Sequence, residues 1–255
     1  MLITGGNMMK ALFIIIAVLV VAPHLSFADV PEYAVKRTTE KIVIDGILDE
    51  DDWQTALSVG EFKFPWRNVA GDRDQTEVKM LWDDTFLYLS YRCDDRYIWV
   101  THLDSNSQTF RDDCVEFFWN PNPVAQKKYN MFEVSATGNM LSVYTGSGKS
   151  IKERISKILP PHIAQTVQGT INYDADIDTC WTLEIAIRFS DYPELSPKPA
   201  PQAGDMWRVG LNRCSGRGGQ TPMMWSMWSP PAQEKPRFHV PDYFGKIFFS
   251  GDAVR

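Results

Sequence analysis

Ten short segments, each apolar or alternating and set apart by turn residues, commit this 255-residue chain to a β architecture. They are Lys41–Asp45, Thr76–Trp82, Phe86–Cys93, Cys114–Asn120, Tyr129–Ser135, Met140–Thr145, Ala164–Ile171, Trp181–Ile187, Trp207–Arg213 and Phe244–Phe249. All are rich in β-branched or aromatic residues and too short for helices that bury a stripe. Asp83-Asp84, Thr137-Gly138-Asn139 and Gly204-Asp205 supply turn chemistry between them. One helical piece is expected, Asp49–Leu57, with Asp49 as N-cap and Trp53 and Leu57 four apart on one face. The pattern predicts an all-β, single-domain antiparallel β-sandwich, jelly-roll-like or a flattened barrel, with one short N-terminal helix.

The N-terminus is of another kind. Met8, Met9 and Lys10 precede an apolar run from Ala11 to Ala22, which Pro23 and Ser26-Phe27-Ala28 follow. A basic start, an apolar run too short to span a bilayer and a small-residue site read as a secretory signal over 1–28, with the domain over 29–255. Export to the periplasm or the medium is expected, with no membrane span after cleavage. The net charge of −6, without a basic run, argues against nucleic acid or anionic membrane as partner.

Outside the cytoplasm, disulfides are permitted. If Trp181–Ile187 pairs antiparallel with Trp207–Arg213, Cys180 falls opposite Cys214. If Phe86–Cys93 pairs with Cys114–Asn120, Cys93 falls opposite Cys114. The bridges Cys180–Cys214 and Cys93–Cys114 are expected on that register. Four small buried hydrophobes is the other reading.

The segment that carries chemistry runs from Thr109 to Asn120, Thr-Phe-Arg-Asp-Asp-Cys-Val-Glu-Phe-Phe-Trp-Asn. At period two, Val115, Phe117 and Trp119 share one face and Glu116 takes the other beside Phe118, with Phe110 just upstream. A carboxylate among aromatic rings suits a sugar, whose hydroxyls donate to charged acceptors and whose C–H faces pack on π surfaces. The competing reading makes Glu116 a core salt-bridge partner of Arg188 or Arg213.

These motifs resemble the family 9 carbohydrate-binding modules and the secreted sandwich domains related to them. The likeness rests on Ile44-Asp45-Gly46-Ile47-Leu48-Asp49-Glu50 with Trp53, on Val78 to Asp84 with Leu87-Tyr88-Leu89, and on Asp112 to Phe118. It continues through Trp181 to Ile187 and Trp228-Ser229-Pro230, ending in Pro241-Asp242-Tyr243-Phe244-Gly245. The resemblance implies non-catalytic binding of oligo- or polysaccharide, including chain ends, between two aromatic platforms in a carbohydrate-degrading system, with a glycoside hydrolase as a potential partner. Carried over residue by residue, it places the platforms at Phe110 and Phe238, the polar groups at Glu116 and Asn212, and Glu133 where the family has an arginine. Arg111 and His239 join the expected rim.

Other constellations have plainer readings. Asp174, Asp176 and Asp178 alternate before a strand, and related modules bind calcium. The EF-hand pattern fails, since Thr179 stands at its glycine, so an acidic turn is the favoured reading. No cofactor is required by the binding reading. Asp45 and Asp49 to Asp52 suit a helix start. Trp228 matches a fold-core position, while Trp66, Trp99 and Trp225 fit core or platform equally. Glu116 with Glu133 or Glu184 would suit a glycoside hydrolase at the right separation. Haem b held by Met with His102, His162 or His239 is a third class, drawn from a distant branch of the superfamily.

Overall fold

The computed structural model describes residues 29–66, 74–122, 128–145, 161–192, 198, 200–216 and 224–255. The signal segment expected over 1–28 lies outside them. Among the described residues the strands are β1 (Glu32–Arg37), β2 (Thr76–Trp82), β3 (Phe86–Asp94), β4 (Cys114–Asn120), β5 (Asn130–Ser135) and β6 (Met140–Tyr144). They continue with β7 (His162–Gln168), β8 (Cys180–Arg188), β9 (Met206–Ser215), β10 (Met224–Met227) and β11 (Gly245–Ala253). They form one sheet in the order β6-β5-β4-β9-β11-β1-β2-β3-β8-β7, with β10 added to β9.

That sheet folds back on itself. Inward side chains of one half, Val115, Phe117, Trp119, Val209 and Leu211, share a core with Met80, Leu89, Tyr91, Leu183 and Ile185 of the other. The fold at the seam belongs to β1, which the sequence reading left out. Its register breaks between Val35 and Arg37, where it leaves β11 and continues on β2. A bulge of this kind lets a strand change layers at a corner. β1 runs parallel to both neighbours. The expected all-β sandwich is therefore present, but its sheet is mixed and not strictly antiparallel.

The segment Lys41–Asp45 is no strand. Side chains hold it instead: Val43 N–H donates to Glu50 Oε1 at 2.9 Å and Asp45 N–H to Glu184 Oε2 at 3.0 Å. The helix is shorter than expected, α1 (Asp51–Thr55), with Glu50 rather than Asp49 at its cap. The acidic run is engaged in tying loops. Asp52 accepts from Thr38 Oγ1, Thr39 N–H and Oγ1, and Glu40 N–H. Glu184, fully buried, accepts from Gly46 N–H at 2.8 Å and Trp53 Nε1 at 2.8 Å. Gly46 has φ +84°, and a Cβ there would sit 2.6 Å from the Gln165 carbonyl carbon, so glycine is required. The Ile-Asp-Gly…Trp motif is thus a clasp over the outer face of the β2-β3-β8 half.

Neither expected disulfide forms, because the strands assumed to be neighbours are not. β8 pairs with β3 and β7, which sets Cys180 opposite Asp94 and Gln168. Cys93 lies opposite Thr76 and Trp181. β4 pairs with β9, so Cys114 faces Cys214. All four cysteines are buried free thiols. Non-reducing peptide mapping should recover neither a Cys180–Cys214 nor a Cys93–Cys114 peptide, and recovery of either would contradict this strand order.

Candidate functional site

β4 turns its two faces to different tasks. Val115, Phe117 and Trp119 enter the shared core, while Cys114 and Phe118 belong to a cluster on the outer face with Tyr129, Met131, Leu141, Val143, Cys214 and Phe238. Strand register arranges this outer face in rows. Glu133, Glu116 and Asn212 stand side by side across β5, β4 and β9, with Ser135, Cys114 and Cys214 in the next row. Ala136 N–H donates to Asp113 O across β4 and β5, which makes Glu116 and Glu133 a non-hydrogen-bonded pair. In such pairs the side chains lie closest.

A cavity of about 610 Å³ opens over these rows. Glu116, Glu133, Cys214, Met131, Leu141 and Val143 line it from the sheet face, and Phe110, Phe238, Trp225 and Tyr129 complete the lining, with His239 and Arg237 at its edge. Glu116 and Glu133 are only 3% and 4% exposed. Asn212 Nδ2 donates to Glu116 Oε2 at 3.2 Å, and the Cys214 thiol approaches Oε1 at 3.9 Å. The Phe110 backbone N–H donates to the Glu133 carboxylate. Glu133 Oε2 and Asn212 Oδ1 are buried without a partner. Burial pushes the Glu116 carboxyl well above its ordinary range, with the Glu133 charge adding to it. Burial likewise lifts Glu133 to about 7.

Phe110 sits on a one-turn 3-10 helix, Thr109–Arg111, held by the acidic residues that follow. Asp112 Oδ2 accepts from His102 N–H at 2.8 Å. Asp113 accepts from Trp99 N–H at 2.6 Å and Gly216 N–H at 2.9 Å. The ring of Phe110 is left 42% exposed at the cavity mouth.

The model of carbohydrate-binding family 9 matches residues 34–249. The chain belongs to carbohydrate-binding family 9. Its fold is similar to three solved structures. A candidate carbohydrate-binding protein from Bacteroides uniformis ATCC 8492 aligns at TM-score 0.64 and 17% identity, over 86% of this chain and 98% of that one. A family 9 module from Caldicellulosiruptor kristjanssonii in complex with cellotriose aligns at 0.58 and 16%, over 86% and 94%. A family 9 module from the same organism in complex with glucose aligns at 0.56 and 16%, over 88% and 98%. Comparison with curated proteins finds no match.

In this family 9 chain, five of the seven residues expected to bind line the one cavity: Phe110, Glu116, Glu133, Phe238 and His239. Asn212 is completely buried beneath it and not on its rim. Arg111 is exposed outside it, with its guanidinium 6.0 Å from the Phe110 ring centre. Phe238 is largely covered, its ring centre 6.0 Å from that of Trp66. His239 stacks on Phe118 and its Nδ1 lies 2.7 Å from Tyr129 Oη. Tyr129, Met131, Leu141 and Val143 were not assigned to the site from sequence, and Trp225, left open between core and platform, lines the cavity. The alternation Tyr129, Met131, Glu133 carried the signal for part of that lining.

The proposed salt bridge of Glu116 is absent among the described residues. Arg213 pairs with Val115 in register and projects to the opposite face, toward Asp95. Arg188 stacks over Phe86, 4.6 Å from its ring centre. Asp174, Asp176 and Asp178 do not converge as a ligand set. Asp178 accepts from Ile98 N–H and Thr170 N–H, and Asp176 from Thr170 Oγ1, which closes the turn after β7. Among the described residues, Cys114, Glu116 and Cys214 are the group whose potential ligand atoms lie within 4.8 Å of one another. Trp228 is core, as expected, with Nε1 donating to Val59 O. A second cavity of about 320 Å³ lies by Gly46, Trp53 and Thr182, where Glu184 is already engaged by the clasp.

Proposed function

We propose that this family 9 chain binds an oligo- or polysaccharide without cleaving it, outside the cytoplasm, in a carbohydrate-degrading system where a glycoside hydrolase is its natural partner. The observation that carries the reading is the cavity: aromatic walls over a floor of acceptor groups. Pyranose C–H faces and phenyl rings both shed water on contact, and carboxylates receive hydroxyl donors. The family 9 modules solved with cellotriose and glucose support the same chemistry. No helix among the described residues is long and apolar enough to cross a membrane.

The hydrolase alternative fits the geometry poorly. A glycosidase sets its carboxylates on either side of the scissile bond. Glu116 and Glu133 rise side by side from one face of one sheet. For the haem alternative, His239 stacks on Phe118 with Nδ1 2.7 Å from Tyr129 Oη, His102 Nδ1 sits 3.1 Å from Asp112 Oδ1 and His162 packs on Phe86, and the three similar structures offer no haem-binding relative.

A glycan array with purified protein, followed by calorimetry on the best ligand, tests this reading. Phe110→Ala and Phe238→Ala should each weaken binding by about 1–3 kcal/mol. Glu116→Gln should weaken it with the melting profile retained. Unchanged affinity in all three variants would remove the cavity as the site, and release of reducing sugar would restore the hydrolase.

A further inference from the structure

The floor of the cavity is a buried carboxyl pair whose acceptor oxygens outnumber its donors, the Cys214 thiol and the proton that burial holds on Glu116. Glu133 Oε2 is buried and unpartnered at the floor, while Asn212, with Oδ1 also unpartnered, is completely buried beneath it. Glu116 and Glu133 are adjacent, both nearly inaccessible to bulk water, and neither makes an ion pair among the described residues. The side-chain amide donor beneath the floor, Asn212 Nδ2, already serves Glu116.

A sugar hydroxyl brings one donor and two acceptor lone pairs to such a floor, and an N-acetyl group brings a carbonyl that the carboxylates repel. A protonated amine brings three donors, a positive charge and no acceptor. Its charge is attracted more strongly here than in water, because the walls exclude solvent. The faces of Phe110 and Trp225 add attraction for a cation. The geometry points to a saccharide with a free amine, its ammonium group seated on Glu133 and Glu116, as the ligand that this cavity selects. The inference rests on the carbohydrate reading of the same site and goes beyond it by naming the sugar class.

Other charged or titratable groups facing the pair are few. Burial and the hydrogen bond with Cys214 hold the Cys114 thiol neutral; that bond lowers Cys214, but burial and the Glu116, Glu133 and Asp113 charges outweigh it and raise Cys214 to about 11. His239 and Tyr129 pair with one another across the wall. Arg237 is at the exposed mouth, where solvent screens its repulsion of an ammonium. The carboxyl pair therefore controls the charge of the floor. Since Glu133 gains its proton near pH 7, the floor loses negative charge as the pH falls below neutrality.

Isothermal calorimetry at pH 7 should compare a β-1,4-linked glucosamine trimer, its fully N-acetylated counterpart and cellotriose. The amine-bearing trimer should bind at least tenfold more tightly than either neutral trimer. Its advantage should shrink severalfold at pH 5.5, where the carboxyl pair is protonated even though the amine is then the more fully charged. Glu133→Gln, checked for a retained melting transition, should bring the three affinities within about threefold of one another. Equal affinities in the unaltered protein, or an amine preference that survives Glu133→Gln, would overturn the inference and leave the carbohydrate reading standing. Failure to bind any saccharide on the array or in the calorimeter would overturn both.

Discussion

Arg213→Met should lower the stability of the fold by about 3–5 kcal/mol, the usual consequence of removing one partner from a buried ion pair. The guanidinium is 1% exposed. Nη2 donates to Asp95 Oδ2 at 2.9 Å, and Nη1 donates to Gln75 O at 3.1 Å and Thr76 Oγ1 at 3.2 Å. Burial alone would weaken its hold on the proton, but Cys93, Asp95, Asp113 and Asp74 more than offset this and raise it. The same cation restrains Asp113, whose carboxyl burial and the Asp95 charge push well above the ordinary range. Without Arg213 these acids are stabilised in the fold only when neutral. The loss should therefore be largest above neutrality and smaller near pH 5, where the acids can take up protons. Urea melts at the two pH values measure it, and a loss under about 1 kcal/mol at pH 8 would show that the ion pair is not what joins β9 to the β2-β3 edge.

Glu133→Gln should act in the opposite direction. Burial raises the Glu133 carboxyl from its ordinary 4.5 to about 7, so the folded protein favours its neutral form. A group with a raised pKa contributes fully below its unfolded value and loses that contribution as pH climbs through the folded value. The unaltered protein thus loses stability between about pH 4.5 and 7, and the permanently neutral glutamine does not. The variant should be about 2–3 kcal/mol more stable at pH 8, with the two curves converging near pH 4. Thermal melts across that range decide it. A variant less stable than the parent at pH 8 would mean that the carboxylate has a buried cation. Stability gained with binding lost is the signature of a residue kept for its ligand rather than for the fold.

How much of this was legible beforehand depended on the range of the signal. Period-two alternation acts within one strand, and it assigned both faces of β4 correctly, with Glu116 and Phe118 outward. The family likeness, and not the alternation, brought Phe110, Glu133 and Phe238 into the expected site. Pairing between strands is a long-range matter, and there local reasoning failed. The chain from Phe189 to Asp205 carries β8 and β9 into different halves, so a register drawn between them set Cys180 against Cys214 when Cys114 is the true neighbour. β1 was missed because Glu-Tyr-Ala-Val-Lys-Arg offers only Tyr33 and Val35 to the core. Asn212 was expected at the rim because the family likeness puts a ligand-binding amide in that strand. Its row-mate Glu116 is what draws it under the floor.

The partnership of β1 with β11 also bears on how the chain is made. Lys246 Nζ reaches Glu32 Oε1 across 214 positions of sequence, and β11 stands between β9 and β1 at the middle of the sheet. Of the described strands, synthesis therefore delivers this central one last. Until it emerges, β9 and β1 have no strand to join them, and the inner faces of both halves wait uncovered. Contacts of such separation form slowly, and apolar faces left open in the meantime are where aggregation begins. Deleting residues 246–255 would remove the seam rather than trim an edge.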